Sequence, residues 1–176
     1  MKAHFLALVA FFVVGGLRVA AQTGWEPVAA PMAGGKPVVA TGIAATSSGA
    51  LFLVASGEGL LYRSLTMGKT WESAGTGIEP DDLRQARITA SPSGSLFLLS
   101  PVRTTLYRSA DNGSNWSPAF TLPKDGSQLY DLAFTPQGTL YLTTDGAKTY
   151  TSGDDGKTWE TMDAPVVSPL VSVTTN

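Results

Sequence analysis

Short apolar runs closed by turn residues punctuate the chain at a regular step. Ile43 to Ser47, Ile88 to Ser91 and Leu132 to Thr135 are β-rich runs, followed by Gly49, Gly94 and Gly138 and then by Leu51-Phe52-Leu53, Leu96-Phe97-Leu98 and Leu140-Tyr141-Leu142. Runs of strand length bounded by turn signals predict hairpin-linked strands rather than helices. The three glycines lie 45 and 44 residues apart. A second marker keeps the same step. Tyr62-Arg63-Ser64-Leu65-Thr66-Met67-Gly68-Lys69-Thr70-Trp71 is echoed from Tyr107 to Trp116 and from Tyr150 to Trp159, with the tryptophans 45 and 43 residues apart. Counting back 46 residues from Trp71 reaches Trp25, which is followed by glutamate, as Trp71 and Trp159 are.

Two markers on one period predict a repeat architecture. Each unit reads as four strands, A to D; in the middle unit A covers about 87–91, B about 95–100, C about 104–109 and D about 114–120. Hairpin connections make each sheet antiparallel. Strands this short cannot bury both faces alone, and radial stacking of four-stranded blades solves that while keeping edges short. The expected fold is therefore all-β, an apparently incomplete β-propeller of four-stranded antiparallel blades. A lone D strand at 24–29 would precede blades at about 37–75, 78–121 and 124–163, and 168–176 would begin a further blade. A fragment of a longer chain, a short chain that completes a ring by self-association, and an open stack all remain compatible with that pattern.

The turn between strands C and D resembles the Asp-box of bacterial neuraminidase repeats, Ser/Thr-x-Asp-x-Gly-x-x-Trp/Phe. Ser109, Asp111, Gly113 and Trp116 match it, as do Ser152, Asp154, Gly156 and Trp159; Ser64, Gly68 and Trp71 are kept in the first copy, where Thr66 replaces the aspartate. Physical chemistry supports the match, because a turn aspartate accepts from backbone N–H groups nearby and glycine takes positive φ. The indole is expected to bury between blades. In the families it resembles, the box lies on the rim away from the ligand face and acts as a fold clip, so these residues are read as structural. Calcium at Asp111 or at Asp154 and Asp155 is disfavoured, since that ion takes six to eight oxygens and a hairpin offers too few.

Composition narrows the chemistry. Residues 1–21 read as a cleavable secretory signal, with Lys2 at the start, an apolar run of 13 residues from Phe5 to Leu17, and small residues to Ala21. That run is short of the roughly 20 residues that span a bilayer, so the expectation is a secreted or periplasmic chain without a membrane span. Without Lys2 and Arg18, ten basic residues face fourteen acidic ones, a net charge of about −4, which argues against a nucleic-acid partner. The chain has no cysteine, and its one histidine, His4, lies in the signal. Thiol and histidine chemistry and the usual zinc sites are excluded, and no cofactor or metal is expected.

Ligands of propellers gather at the face formed by D–A and B–C connections. Asp81, Asp82 and Arg84 lie on one D–A connection and Lys124-Asp125 on the next, while Arg87 and Asp131 begin successive A strands at matching positions, where they can face each other. These form the candidate ligand face; Pro80-Asp81-Asp82 also suits the start of a helical turn. The repeat-locked aromatics Tyr62, Tyr107, Tyr150, Phe52, Phe97 and Tyr141 are read as inter-blade core rather than a sugar platform, and Arg63 and Arg108 as braces of strand C.

Two function classes follow. The resemblance to neuraminidases implies a sialidase or other glycoside hydrolase, which needs poised carboxylates and, for sialic acid, clustered arginines. Of the five arginines after the signal only Arg84, Arg87 and Arg103 remain free for that role, and Arg87-Ile88 lacks the flanking residues of the sialidase Phe/Tyr-Arg-Ile-Pro motif. The chain also resembles the exported photosystem II stability/assembly factor-type repeat proteins, which implies a non-catalytic scaffold for a protein or glycan. The scaffold reading leads; an enzyme fragment is the alternative.

Overall fold

A computed structural model describes residues 30–100, 104–124, 127–146 and 148–163. The signal region, the strands expected at 24–29 and 168–176, Trp25, Arg103 and Asp125 lie outside them. The described strands form three four-stranded antiparallel sheets, each ordered as its strands follow in sequence. A short hairpin, β1 (Met32–Ala33) with β2 (Lys36–Pro37), precedes them and was not anticipated from the repeat. Blade 1 holds β3 (Gly42–Ala45), β4 (Leu51–Ala55), β5 (Leu60–Ser64) and β6 (Glu72–Ser73). Blade 2 holds β7 (Arg87–Ala90), β8 (Leu96–Ser100), β9 (Thr105–Ser109) and β10 (Ser117–Thr121). Blade 3 holds β11 (Leu129–Phe134), β12 (Leu140–Thr144), β13 (Lys148–Ser152) and β14 (Glu160–Asp163). The all-β, four-stranded-blade expectation is met.

Alternation along strand B divides the core. Phe52 and Val54 pack with Leu96, Leu98, Tyr107 and Trp116 between blades 1 and 2. Phe97 and Leu99 turn the other way, joining Leu140, Leu142 and Tyr150 between blades 2 and 3. Successive strand residues point to opposite faces, so a continuous Leu-Phe-Leu run serves two interfaces at once. Leu53 and Ala55 face the remaining side of blade 1, where Val38 of the N-terminal segment covers them together with Tyr62 and Trp71. Phe52, Phe97, Leu96, Leu98 and Leu140 are fully buried, each contributing about 1.5–3 kcal/mol relative to exposure.

Strand D of the middle blade starts at Ser117, three residues later than expected, because residues 111–116 are held in the turn. Pro118 is accommodated because β10 is an edge strand, where a missing N–H does not break the ladder. Two register shifts carry consequences for the joints. One falls between Pro118 and Phe120, the other between Leu129 and Asp131. Each leaves one residue, Ala119 or Tyr130, out of the pairing register, and a bulge frees backbone groups for partners outside the sheet.

Candidate functional site

The C–D hairpins come first, because their chemistry decides whether their carboxylates are free. Ser109 Oγ accepts the Gly113 N–H at 2.9 Å, and Asp111 accepts from the Asn115 backbone at 2.9 Å and from its amide at 2.8 Å. Blade 3 repeats the pattern: Gly156 N–H to Ser152 Oγ at 2.9 Å, with Thr158 donating to Asp154 from its backbone at 2.8 Å and its hydroxyl at 2.6 Å. Bonds from Asn115 lower Asp111 to about 2, and bonds from Thr158 likewise hold Asp154 well below the usual carboxylate range. In blade 1, Thr66 Oγ1 accepts the Thr70 N–H at 2.9 Å, so one hydroxyl does the work of one carboxylate oxygen.

The hairpins of blades 2 and 3 also lock onto the preceding blade. Trp116 is buried and donates its indole N–H to the Ala74 carbonyl of blade 1 at 2.8 Å. Trp159 donates to Ala119, the residue released by the blade 2 bulge, at 3.1 Å. Gly113 and Gly156 have φ of 72° and 81°, and a Cβ on them would sit 2.5 Å from the Phe52 ring and 2.8 Å from the Phe97 ring. Only glycine fits both demands. Arg63 and Arg108, expected to brace their own strands, do so through Glu72 and Ser95 and also cross the joint. Arg63 donates to the Asn112 carbonyl at 2.8 Å and to Ser114 Oγ at 2.6 Å, while also meeting Glu72 of its own blade at 2.7 Å. Arg108 pairs with Asp155 at 2.5 Å. Ser93 and Ser95 also donate to that carboxylate, at 2.9 and 2.6 Å. Burial works to raise Asp155, but the bonds from Ser95, Arg108 and Ser93 together outweigh it and the carboxyl stays below its ordinary value. Asp155 thus faces across the joint while Asp154 stays within its own hairpin.

The candidate ligand face divides in two. Asp82 is not on it: the carboxylate is buried at 1% exposure, accepting from Ser100 Oγ at 3.0 Å and from the Tyr107 hydroxyl at 2.5 Å. Burial, then the bond and the charge of Asp82, push the Tyr107 phenol up to about 12. Asp82 belongs to a 3-10 turn, Pro80–Leu83, with Pro80 in its first turn, and anchors that turn over the joint between blades 1 and 2. Its neighbours stay outside: Asp81 and Arg84 are exposed and 3.5 Å apart. Arg84 also donates to the Gly57 carbonyl at 3.3 Å.

Arg87 and Asp131 do come together. Their ion pair spans 3.8 Å between successive A strands, and Arg87 also donates to the carbonyl of Tyr130, the residue released by the blade 3 bulge. Around them lies a cleft of about 250 Å³ lined by Arg87, Ile88, Thr89, Leu99, Asp131 and Leu132. Its floor is aliphatic and its mouth carries one charge of each sign. Tyr130 and the serines that bind Asp155 were not singled out from sequence, and Asp155 was weighed only as a calcium ligand. Asp155 carried a signal, since it stands with Met67 and Asn112 immediately before the turn glycine, at φ of 62°, 52° and 54°.

Comparison with known proteins adds the fold's relatives. A family model described as the DUF6242 beta propeller domain matches residues 85–176, just over half of the chain. No curated protein matches. Among solved structures, virginiamycin B lyase from Staphylococcus aureus is similar with a TM-score of 0.56 at 19% identity, over 71% of this chain and 41% of that one. YCF48 bound to D1 peptide has a TM-score of 0.55 at 22% identity, over 81% and 45%. An ancestral GH74 enzyme has a TM-score of 0.56 at 16% identity, over 72% and 20%. The chain spans less than half the length of these structures, and at such identities the likeness concerns the fold.

Proposed function

The chain belongs to the DUF6242 β-propeller domain family, and we propose that it is an exported, non-catalytic scaffold that holds a protein or glycan ligand at the A-strand edge of blades 2 and 3. The observation that carries this reading is the Arg87–Asp131 cleft. Asp111, Asp154 and Asp155 are engaged in turns or joints, and Asp82 is buried, which leaves the Arg87–Asp131 pair as the charge at the cleft. The pair is loose and Arg87 is 56% exposed, so it contributes little to stability and is open to exchange for a ligand's charges. Glycoside hydrolysis uses two carboxyl groups across the scissile bond, whereas among the described residues Asp131 is the one carboxylate lining the cleft. YCF48, similar in fold, is seen with a bound peptide, which is consistent with a peptide-holding role at such a fold.

The test applies the purified chain to printed glycan and peptide arrays beside Arg87→Ala and Asp131→Ala. Features bound by the unaltered chain are expected to lose at least about tenfold in apparent affinity in either variant, about 1.4 kcal/mol. Hydrolysis of fluorogenic sialosides or β-glycosides that disappears in Asp131→Ala would defeat the scaffold reading.

A further inference from the structure

The residue directly before the turn glycine of each C–D hairpin is Met67 in blade 1, Asn112 in blade 2 and Asp155 in blade 3. Only the middle hairpin therefore sets a carboxamide beside the backbone nitrogen of a glycine. An asparagine in that place is open to attack from its own main chain, because glycine has no side chain to hinder the approach. The Gly113 nitrogen forms a bond to Asn112 Cγ as the Cγ–Nδ2 bond breaks; the amide nitrogen takes the proton from Gly113 and leaves as ammonia, and a cyclic imide remains. Water then opens the imide at one of its two carbonyls. One opening gives aspartate. The other gives isoaspartate, in which the main chain runs through the former side chain and is one carbon longer.

The fold presents the electrophile and withholds the nucleophile. Asn112 is exposed, and among the described residues no hydrogen bond holds its side-chain amide. Gly113 is buried, its N–H is donated to Ser109 Oγ at 2.9 Å, and a Cβ on it would sit 2.5 Å from the Phe52 ring of blade 1. Arg63, also from blade 1, holds the Asn112 carbonyl at 2.8 Å. Ring closure requires the Gly113 nitrogen to give up its proton and Asn112 to turn about the bond to its carbonyl, and both movements break these contacts. Reaction therefore proceeds from the fraction of molecules in which the hairpin has left blade 1. Asn115 differs: its amide donates to Asp111 at 2.8 Å, and the next residue is the buried Trp116. Asp155 also precedes a glycine, but Arg108, Ser93 and Ser95 hold its carboxylate and Ser152 holds the Gly156 N–H.

We propose that Asn112 is a self-modification site gated by the joint between blades 1 and 2: it loses its amide nitrogen when the hairpin leaves Phe52 and Arg63, and the closed joint discriminates between the two products. Aspartate places a carboxylate where blade 3 has Asp155, which takes the arginine of its preceding blade at the same left-handed backbone conformation, so the joint accepts it. Isoaspartate lengthens the turn by one carbon between Ser109 and Gly113. That shift carries Gly113 off the Phe52 ring, and the joint stays loosened. A molecule that opens is thus marked irreversibly at the joint that opened.

The experiment follows the full chain in mildly alkaline buffer, beside a synthetic peptide of residues 107–118, by mass spectrometry that separates asparagine, aspartate and isoaspartate at each position. The peptide supplies the ungated rate. Conversion in the chain is expected at Asn112 before Asn115, and at least about tenfold slower than in the peptide, because the open fraction sets the rate. Ser109→Ala, which strips the Gly113 N–H of its acceptor, and Arg63→Ala, which releases the Asn112 carbonyl, should each raise the rate by at least about threefold. Circular dichroism verifies that the variants are folded, and Arg63→Ala, made outside the hairpin, carries the test by itself should Ser109→Ala not fold. Asn112→Asp, the first product made directly, should keep the thermal midpoint of the unaltered chain. A chain that converts at the peptide's rate, converts first at Asn115, or keeps its rate in the folded variants overturns the proposal, and a lowered midpoint in Asn112→Asp overturns the discrimination between products.

Discussion

Between blades 1 and 2, Arg63 reaches a neutral turn, the carbonyl of Asn112 and the hydroxyl of Ser114. Between blades 2 and 3, Arg108 reaches the carboxylate of Asp155, which also takes the hydroxyls of Ser91, Ser93 and Ser95. The indoles differ in the opposite sense: Trp116 is 5% exposed, whereas Trp159 is only partly buried and leans on Phe120, itself in contact with Tyr150. The first joint is held chiefly by buried apolar surface, and the second relies more on charge. One repeat plan therefore yields joints that respond to different perturbations.

The largest separation is expected from truncating the indoles. Trp116→Ala should destabilise by about 3–5 kcal/mol in urea unfolding, as large-to-small changes at fully buried aromatics do, and Trp159→Ala by about 2 kcal/mol, since less of its surface leaves water. Equal losses would erase the distinction between the joints. A smaller contrast should come from the turn residues. Asp155→Ala, which strands Arg108, should lose about 2 kcal/mol, whereas Asn112→Ala keeps the carbonyl that Arg63 uses and should lose under about 1 kcal/mol.

Acid provides the gentlest probe. Asp155, Asp154 and Asp111 all ionise below their ordinary value in the folded chain, Asp111 at about 2. A carboxyl depressed by folding adds stability above its unfolded pKa of about 4, and that stability is lost as pH falls toward the folded value. Blade 3 carries two such groups in its hairpin, blade 2 carries one, and blade 1 has Thr66, which does not titrate in this range. Lowering pH from about 4 to 2 should reduce hydrogen-exchange protection, taken against the unfolded chain at the same pH, first in blade 3 and last in the blade 1 hairpin, and Asp155→Asn should narrow the difference. A uniform loss of protection across the blades would contradict it.

Much of this was legible beforehand. The period of the tryptophans and turn glycines placed every strand of the middle blade to within three residues, because strand length and turn chemistry are local properties. Equal repeat positions also brought Arg87 and Asp131 into one cleft. Asp82 was misplaced, since nothing in Pro80-Asp81-Asp82 indicates which of two adjacent carboxylates turns inward; Tyr107 and Ser100, from the far side of the blade, decide that. The reach of Arg63 and Arg108 beyond their own blades went unread for the same reason.

The amino-acid order alone determined that the chain makes short antiparallel sheets, where their hairpins fall, and which residues occupy equivalent places. Only the tertiary structure decided which equivalent places touch: the bulges that hand Ala119 and Tyr130 to neighbouring blades, the burial of Asp82, and the reach of each arginine across a joint. The physical reason is that a period fixes position along a repeat, whereas contact between repeats depends on the angle and offset at which two sheets stack.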